Sequence, residues 1–265
     1  MHFAKAVEGK IQEAGGRLLP EGFDELFEKS SMKETSTSPS SPTQPAPELR
    51  LLASAAHTGF TALIADGHSR KAKYMQALAL GLPCIAARWI TTCLDKDKLV
   101  DWAPFLLCAG QSAFLGDAIR SRILAPYDAG TAQLATLLDG RPRFLEGSRI
   151  LVVLRKGDRG KRNAYLFLAH VLGGALSRVS TVDEARMRLK AAEDLGRPYD
   201  WVYIDDKAER EEIFGPAKAA DGKKRKRLSV SADAGPDPKK TRTLSDEAVI
   251  QSLILGRLLD EEEMA

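Results

Sequence analysis

Cysteine is scarce in these 265 residues: there are three, Cys84, Cys93 and Cys108. An odd count with no CxxC spacing excludes a disulfide framework and a thiolate zinc site. Cys84 and Cys93 stand among apolar neighbours and read as core thiols of a reducing compartment. Histidine is as sparse. His2, His57, His68 and His170 are scattered without HExxH or any other ligand spacing, so no metal is expected. No apolar run approaches the ~20 residues of a membrane span. The amino end carries Glu8, Glu13 and Asp24, unlike a signal peptide or an acid-poor transit peptide, and no membrane partner is expected. No GxGxxG follows a candidate first strand, and the Gly pairs end helices instead of opening them, which argues against a dinucleotide fold and against any cofactor. Nothing near Cys84 or Cys93 in sequence lowers a thiol pKa, and no nucleophile and base are paired. The chain therefore reads as a non-enzyme.

What is present is apolar enough for a core, at 44% hydrophobic residues. The net charge of +3 is concentrated in one run, Lys223, Lys224, Arg225, Lys226 and Arg227. Without that run the chain is slightly acidic, which is not a body built to coat nucleic acid, and no sequence-specific nucleic-acid contact is expected. The run, with Pro238-Lys239-Lys240 beyond it, reads as a nuclear import signal or as a flexible charged loop. Ser229 lies close enough for phosphorylation to modulate it.

The central stretch is 60–94. Phe60–Ala65 reads as a strand delivering Asp66 and Gly67 into a turn. A helix from about Ser69 to Ala79 follows, with Tyr74, Met75, Leu78 and Ala79 on its apolar face and Gly81 as its stop. Leu82–Ala86 is a short apolar strand, and Trp89 opens the next helix. Arg70, Lys71 and Lys73 crowd the start of the first helix, where cations cost roughly 0.3–1 kcal/mol each. A bound anion offsets that cost, and a solvated cationic turn is the plain alternative.

Ahead of this stretch, residues 4–14 form an amphipathic helix ended by Gly15-Gly16, and Arg17-Leu18-Leu19 starts a strand. Residues 30–48 are Ser/Thr/Pro-rich and read as a disordered loop, with Ser38-Pro39, Ser41-Pro42 and Thr43-Gln44 as candidate kinase targets. The same order recurs later. Ser148–Leu154 is a buried-strand run, 161–172 a helix ended by Gly173-Gly174, Ala175–Val179 a strand, 182–195 a short helix, and Tyr199–Asp205 a strand running into Asp. After a charged insertion at 215–242, Thr243–Leu259 reads as an amphipathic helix. A doubled order of helix, Gly-Gly, strand and Asp predicts two α/β modules, 1–99 and 147–264, joined by a linker at 100–146 that packs on both.

These residues resemble a tandem BRCT region. The resemblance is carried by Gly15-Gly16, the strand ending in Asp66, Gly81-Leu-Pro-Cys-Ile85, Trp89-x-x-x-Cys93, the stretch Phe105–Ser112 and the second set from Gly173 to Leu259. The layout is similar to that of fungal DNA-damage checkpoint mediators and their animal p53-binding relative. It implies an α/β fold of two modules, each a small parallel sheet of four strands flanked by helices. It also implies a nuclear, non-enzymatic adaptor whose first module binds a phosphorylated histone tail or other phosphoprotein. The phosphate-holding lysine of that family maps onto Lys73, with Arg70 as its neighbour on the peptide. The sequence departs from the pattern in two places: the first module lacks its initial strand and that strand's Ser or Thr, and Ala248 stands in the second module where Trp89 stands in the first. The second module is therefore read as an orienting partner. The alternative function is a homodimerisation or scaffold unit without phosphate specificity. Trp89 and Trp201 are read as core residues and His68 as a solvated loop histidine beside the phosphate site.

Overall fold

The computed structural model describes residues 2–29, 48–154, 159–214, 241–259 and 263. The basic run Lys223–Arg227, read as a candidate import signal, the candidate kinase targets and nearly all of both insertions lie outside the described residues.

The second module is the more complete. Its strands β5 (Arg149–Val153), β6 (Ala175–Val179), β7 (Trp201–Tyr203) and β8 (Arg242–Leu244) form one parallel sheet in the order β6-β5-β7-β8. The central position of β5 follows from its composition. Ile150, Leu151, Val152 and Val153 are all buried, and only a strand covered on both faces and both edges can bury an unbroken apolar run. Each such side chain contributes about 1.5–3 kcal/mol of burial. Helices α5 (Arg159–Val171) and α6 (Val182–Asp194) follow β5 and β6, and α7 (Lys207–Phe214) and α8 (Asp246–Leu255) complete the module. Thr181 and Ser245 cap α6 and α8 through their hydroxyls, which accept from the amides of Glu184 and Ala248 at 3.2 Å. The strand β8 is absent from the sequence-based expectation, which ran a helix from Thr243. Three residues with one buried apolar side chain, Leu244, give no periodic signal.

The first module has α1 (His2–Glu13), β1 (Leu63–Ala65), α2 (Ala72–Ala79), β2 (Cys84–Ala86) and α3 (Arg88–Asp95). Among the described residues its sheet is the parallel pair β1-β2. Arg17-Leu18-Leu19, expected as a strand, joins no ladder among the described residues. Between the modules, β3 (Gly110–Ser112) and β4 (Ala118–Arg120) form an antiparallel hairpin, and α4 (Leu134–Asp139) follows. Trp102 is 1% exposed in a cluster with Ile85, Trp89 and Ala129, so the packing of the first module runs on past residue 99.

Where the halves meet, α2 packs on α5 and α8. Met75, Leu78 and Ala79 of α2, Leu166 and Ala169 of α5, and Leu253 and Ile254 of α8 belong to one continuous apolar cluster. Phe27 reaches across as well, its ring 5.9 Å from that of Phe167. Neither α2 nor α8 is one-sided. Residues 74–79 and 248–254 are all buried, including Gln76, Gln251 and Ser252, because each helix covers its own sheet and the other half at once. The polar members are partnered: Gln76 Oε1 accepts from the Phe23 amide at 3.0 Å, and Ser252 Oγ donates to the Ala248 carbonyl at 2.6 Å. Ala248, where a bulky aromatic stands in the first module, is closed at 0% exposure within this cluster. The fold class read from the sequence, α/β with two modules of small parallel sheet and flanking helices and an incomplete first sheet, is the one observed.

Candidate functional site

The turn between β1 and α2 carries the basic residues singled out above. The helix begins three residues later than expected: Lys71 is its N-cap, with extended backbone (φ −68°, ψ 150°). Ser69 explains the delay, since its Oγ accepts the Lys71 amide at 3.0 Å and holds the backbone in a local turn. Arg70 and Lys71 therefore precede the helix, and Lys73 alone of the three lies in its first turn. No side chain caps α2 and no acid sits in that turn.

Lys73 and Arg70 point to different neighbours. The Lys73 ammonium donates to the carbonyls of Leu19 (3.2 Å) and Pro20, on the segment that follows α1. Among the described residues it meets no carboxylate. The Arg70 guanidinium instead pairs with Glu247 of α8, with both side chains nearly half exposed. An exposed pair of this kind is worth at most about 1 kcal/mol. Its partners extend it inward, however. Glu247 Oε1 accepts from Gln251 Nε2 at 2.8 Å, and Gln251 Oε1 accepts from Ser112 Oγ at 2.9 Å. The relay Arg70–Glu247–Gln251–Ser112 ties the basic turn to α8 and to the β3 hairpin. Sequence reasoning missed Glu247, which is 177 positions from Arg70 and carries no local signal.

Against the end of α2 and β2 lies a half-buried cation that sequence reasoning also missed. The Arg122 guanidinium donates to the carbonyls of Leu82 and Ala77 (3.4 Å to the latter) and to Cys84 Sγ at 3.6 Å. Burial lowers its pKa and raises those of Tyr74, Cys84 and Tyr127, the last to about 12. The Tyr74 hydroxyl donates to the Cys108 carbonyl at 2.5 Å. For Cys84 desolvation outweighs the guanidinium, and its pKa rises from 9.0 to about 11. A buried thiol held protonated is a poor nucleophile. The sign for stability follows: above pH 9 the unfolded chain releases a proton that the folded chain keeps. Stability is therefore expected to fall as pH rises from about 9 to 11, with up to ~1.4 kcal/mol per pH unit coming from this thiol, and Cys84→Ala is expected to flatten the fall in the urea midpoint.

Among the described residues no three His, Cys, Asp or Glu side chains gather as a metal set, and no helix is long and apolar enough to cross a membrane. His68 and His57 are exposed, and Trp89 and Trp201 are buried core residues.

The fold and the basic turn together define a two-module α/β protein of the kind that the motifs resemble, and comparison with known proteins agrees. Over 152 residues the chain is 32% identical to the DNA repair protein crb2 of Schizosaccharomyces pombe, covering 56% of this chain and 18% of that protein. Over 148 residues it is 28% identical to the DNA repair protein RAD9 of Saccharomyces cerevisiae, covering 53% of this chain and 11% of that one. The resemblance to fungal DNA-damage checkpoint mediators is thus borne out, over less than a fifth of those relatives' length. No family model matches the chain. Among solved structures it is similar to the BRCT5-BRCT6 domains of Schizosaccharomyces pombe Brc1, at 20% identity and a TM-score of 0.37, covering 58% of this chain and 65% of that one.

Proposed function

We propose that the protein is a nuclear, non-enzymatic adaptor of DNA-damage checkpoint signalling that binds a phosphorylated partner, a histone tail among them, through its first module. The observation that carries this reading is Lys73. Its ammonium stands at the exposed, uncapped, acid-free start of α2 and meets only carbonyls among the described residues. A phosphate there gains a charge-assisted hydrogen bond and the favourable end of the helix dipole together. The sequence relation to two fungal DNA repair proteins supplies the checkpoint context. In this reading Arg70 joins the ligand by exchanging Glu247 for the phosphate or for an acidic residue of the peptide.

The test is fluorescence anisotropy with a serine-phosphorylated histone-tail peptide and its dephosphorylated twin. Lys73→Met is expected to weaken phosphopeptide binding by about tenfold or more, the loss of one charge-assisted contact to a doubly charged group. Glu247→Gln is expected to strengthen it, by releasing Arg70. Equal affinity for the two peptides rejects phosphate reading.

One observation favours a second reading, a dimerisation or scaffold unit without phosphate specificity. Arg70 is already engaged with the second module, so its charge can serve the joint instead of a ligand. A dimer in sedimentation that is indifferent to Lys73→Met supports this alternative.

A further inference from the structure

The pair Arg70–Glu247 differs from an ordinary surface contact because one member is fixed from beneath. The Glu247 side chain is 42% exposed, and a long acid so placed ordinarily samples several rotamers. Here its Oε1 accepts from Gln251, four residues on and so on the same face of α8. Gln251 is 1% exposed, and its own Oε1 accepts from the hydroxyl of Ser112, which is 0% exposed. Two buried polar side chains thus converge on a single carboxylate and aim it at the basic turn.

The other acids of this edge are engaged elsewhere. Asp246 Oδ1 accepts from the Tyr203 hydroxyl at 2.6 Å, and Asp205 Oδ1 accepts from the Asp246 amide at 3.2 Å. Lys73, three positions from Arg70, donates to carbonyls. Among the described residues the turn therefore presents one cation that faces carbonyls and one that already faces a carboxylate.

The second cation imposes its own selection. A carboxylate on an incoming peptide gains nothing at Arg70 by displacing Glu247, since one carboxylate is exchanged for another. A phosphate brings a charge of about −1.5 to −2 and three acceptor oxygens, so the same exchange leaves it a net gain. We infer that Glu247, held by Gln251 and Ser112, is a specificity-determining residue. It cancels at Arg70 the attraction for merely acidic peptides and leaves the attraction for phosphorylated ones. Gln251 and Ser112 are positioning residues that touch no ligand and act through Glu247. This inference deepens the phosphate reading proposed above and rests on it.

The test compares three peptides of one sequence, with phosphoserine, serine or glutamate at the central position, by fluorescence anisotropy on the full chain. The quantity read is the affinity ratio of the glutamate peptide to the serine peptide. Glu247→Gln is expected to raise that ratio by about fivefold, the upper end for an exposed ion pair. In an Arg70→Gln background the same substitution is expected to leave it unchanged, which separates the pair from the general effect of deleting a negative charge. Ser112→Ala combined with Gln251→Met removes both buried partners at once, so neither is left unsatisfied. That variant keeps Glu247 but loosens it, and is expected to raise the ratio by about twofold with its circular dichroism unchanged. An unmoved ratio in Glu247→Gln, or an equal rise in the absence of Arg70, overturns the inference while leaving phosphate reading intact. An unmoved ratio in the folded Ser112 and Gln251 variant overturns the positioning role. Equal affinity of the unaltered chain for the phosphoserine and serine peptides removes phosphate reading itself, and this inference with it.

Discussion

Trp102→Ala is expected to remove about 3–5 kcal/mol of stability, the range for truncating a fully buried large aromatic. Trp102 is 1% exposed, and its ring stacks at a tilt on Tyr127 with centroids 4.9 Å apart. Its indole N–H donates to the Tyr127 carbonyl at 2.9 Å, so truncation empties a cavity and also strands an acceptor. The neighbours cannot close the gap easily. Trp89 is held by its own bond to the Val100 carbonyl at 3.0 Å and packs on Phe60, centroids 5.4 Å apart. Urea unfolding followed by circular dichroism reads the loss. Trp102→Phe separates the two contributions: it keeps most of the packing and forfeits the hydrogen bond, for a smaller cost of about 1–2 kcal/mol. A loss below ~1 kcal/mol for Trp102→Ala is incompatible with the packing described.

Gly110→Val is expected to damage the joint between the halves by a different route. Gly110 has φ +151°, where a branched side chain is strained, and β3 passes close to α8 at this point. A Cβ built there lies 3.0 Å from Ile254 Cγ1 and 3.1 Å from Cδ1. Ile254 belongs to the apolar cluster shared by both modules, so it cannot swing out to solvent. Strain of about 1–3 kcal/mol and overpacking of similar size act together. The expected result is a clear drop in the urea midpoint together with faster exchange at the amides of α8. Gly110→Ala adds the same Cβ without the branches and is expected to cost less, which orders the series Gly, Ala, Val.

Much of the second sheet was legible because its strands announce themselves. The run Ile150–Val153 is too apolar for anything but a central strand, and Ala175–Val179 follows a Gly pair that stops a helix. In the first module the motif at Asp66–Ala79 placed the turn and the helix, although Ser69 moved the helix start. What could not be read was non-local. Arg17–Leu19 has the side chains of a strand, yet it joins no ladder among the described residues. The all-round burial of α2 and α8 depends on each other's presence, and a one-dimensional pattern scored against a single core face shows only half of it. Arg122 sits in a loop and is charged like a surface residue, yet two carbonyls and a thiol from the single stretch 77–84 hold its guanidinium. Of the two cations assigned to the phosphate, nothing in the sequence signals the tie from Arg70 to α8.

The shared position of α2 decides how the protein can be taken apart. Six residues, 74–79, serve as a wall for two interiors at once. Cutting the chain anywhere in 100–146 would strip the lining from both, leaving Met75 and Leu78 bare on one fragment and Leu253 and Ile254 bare on the other. Contiguous greasy surface of that sort drives clumping. The halves are therefore indivisible in practice, and any assay of the amino-terminal cations must be run on the intact pair.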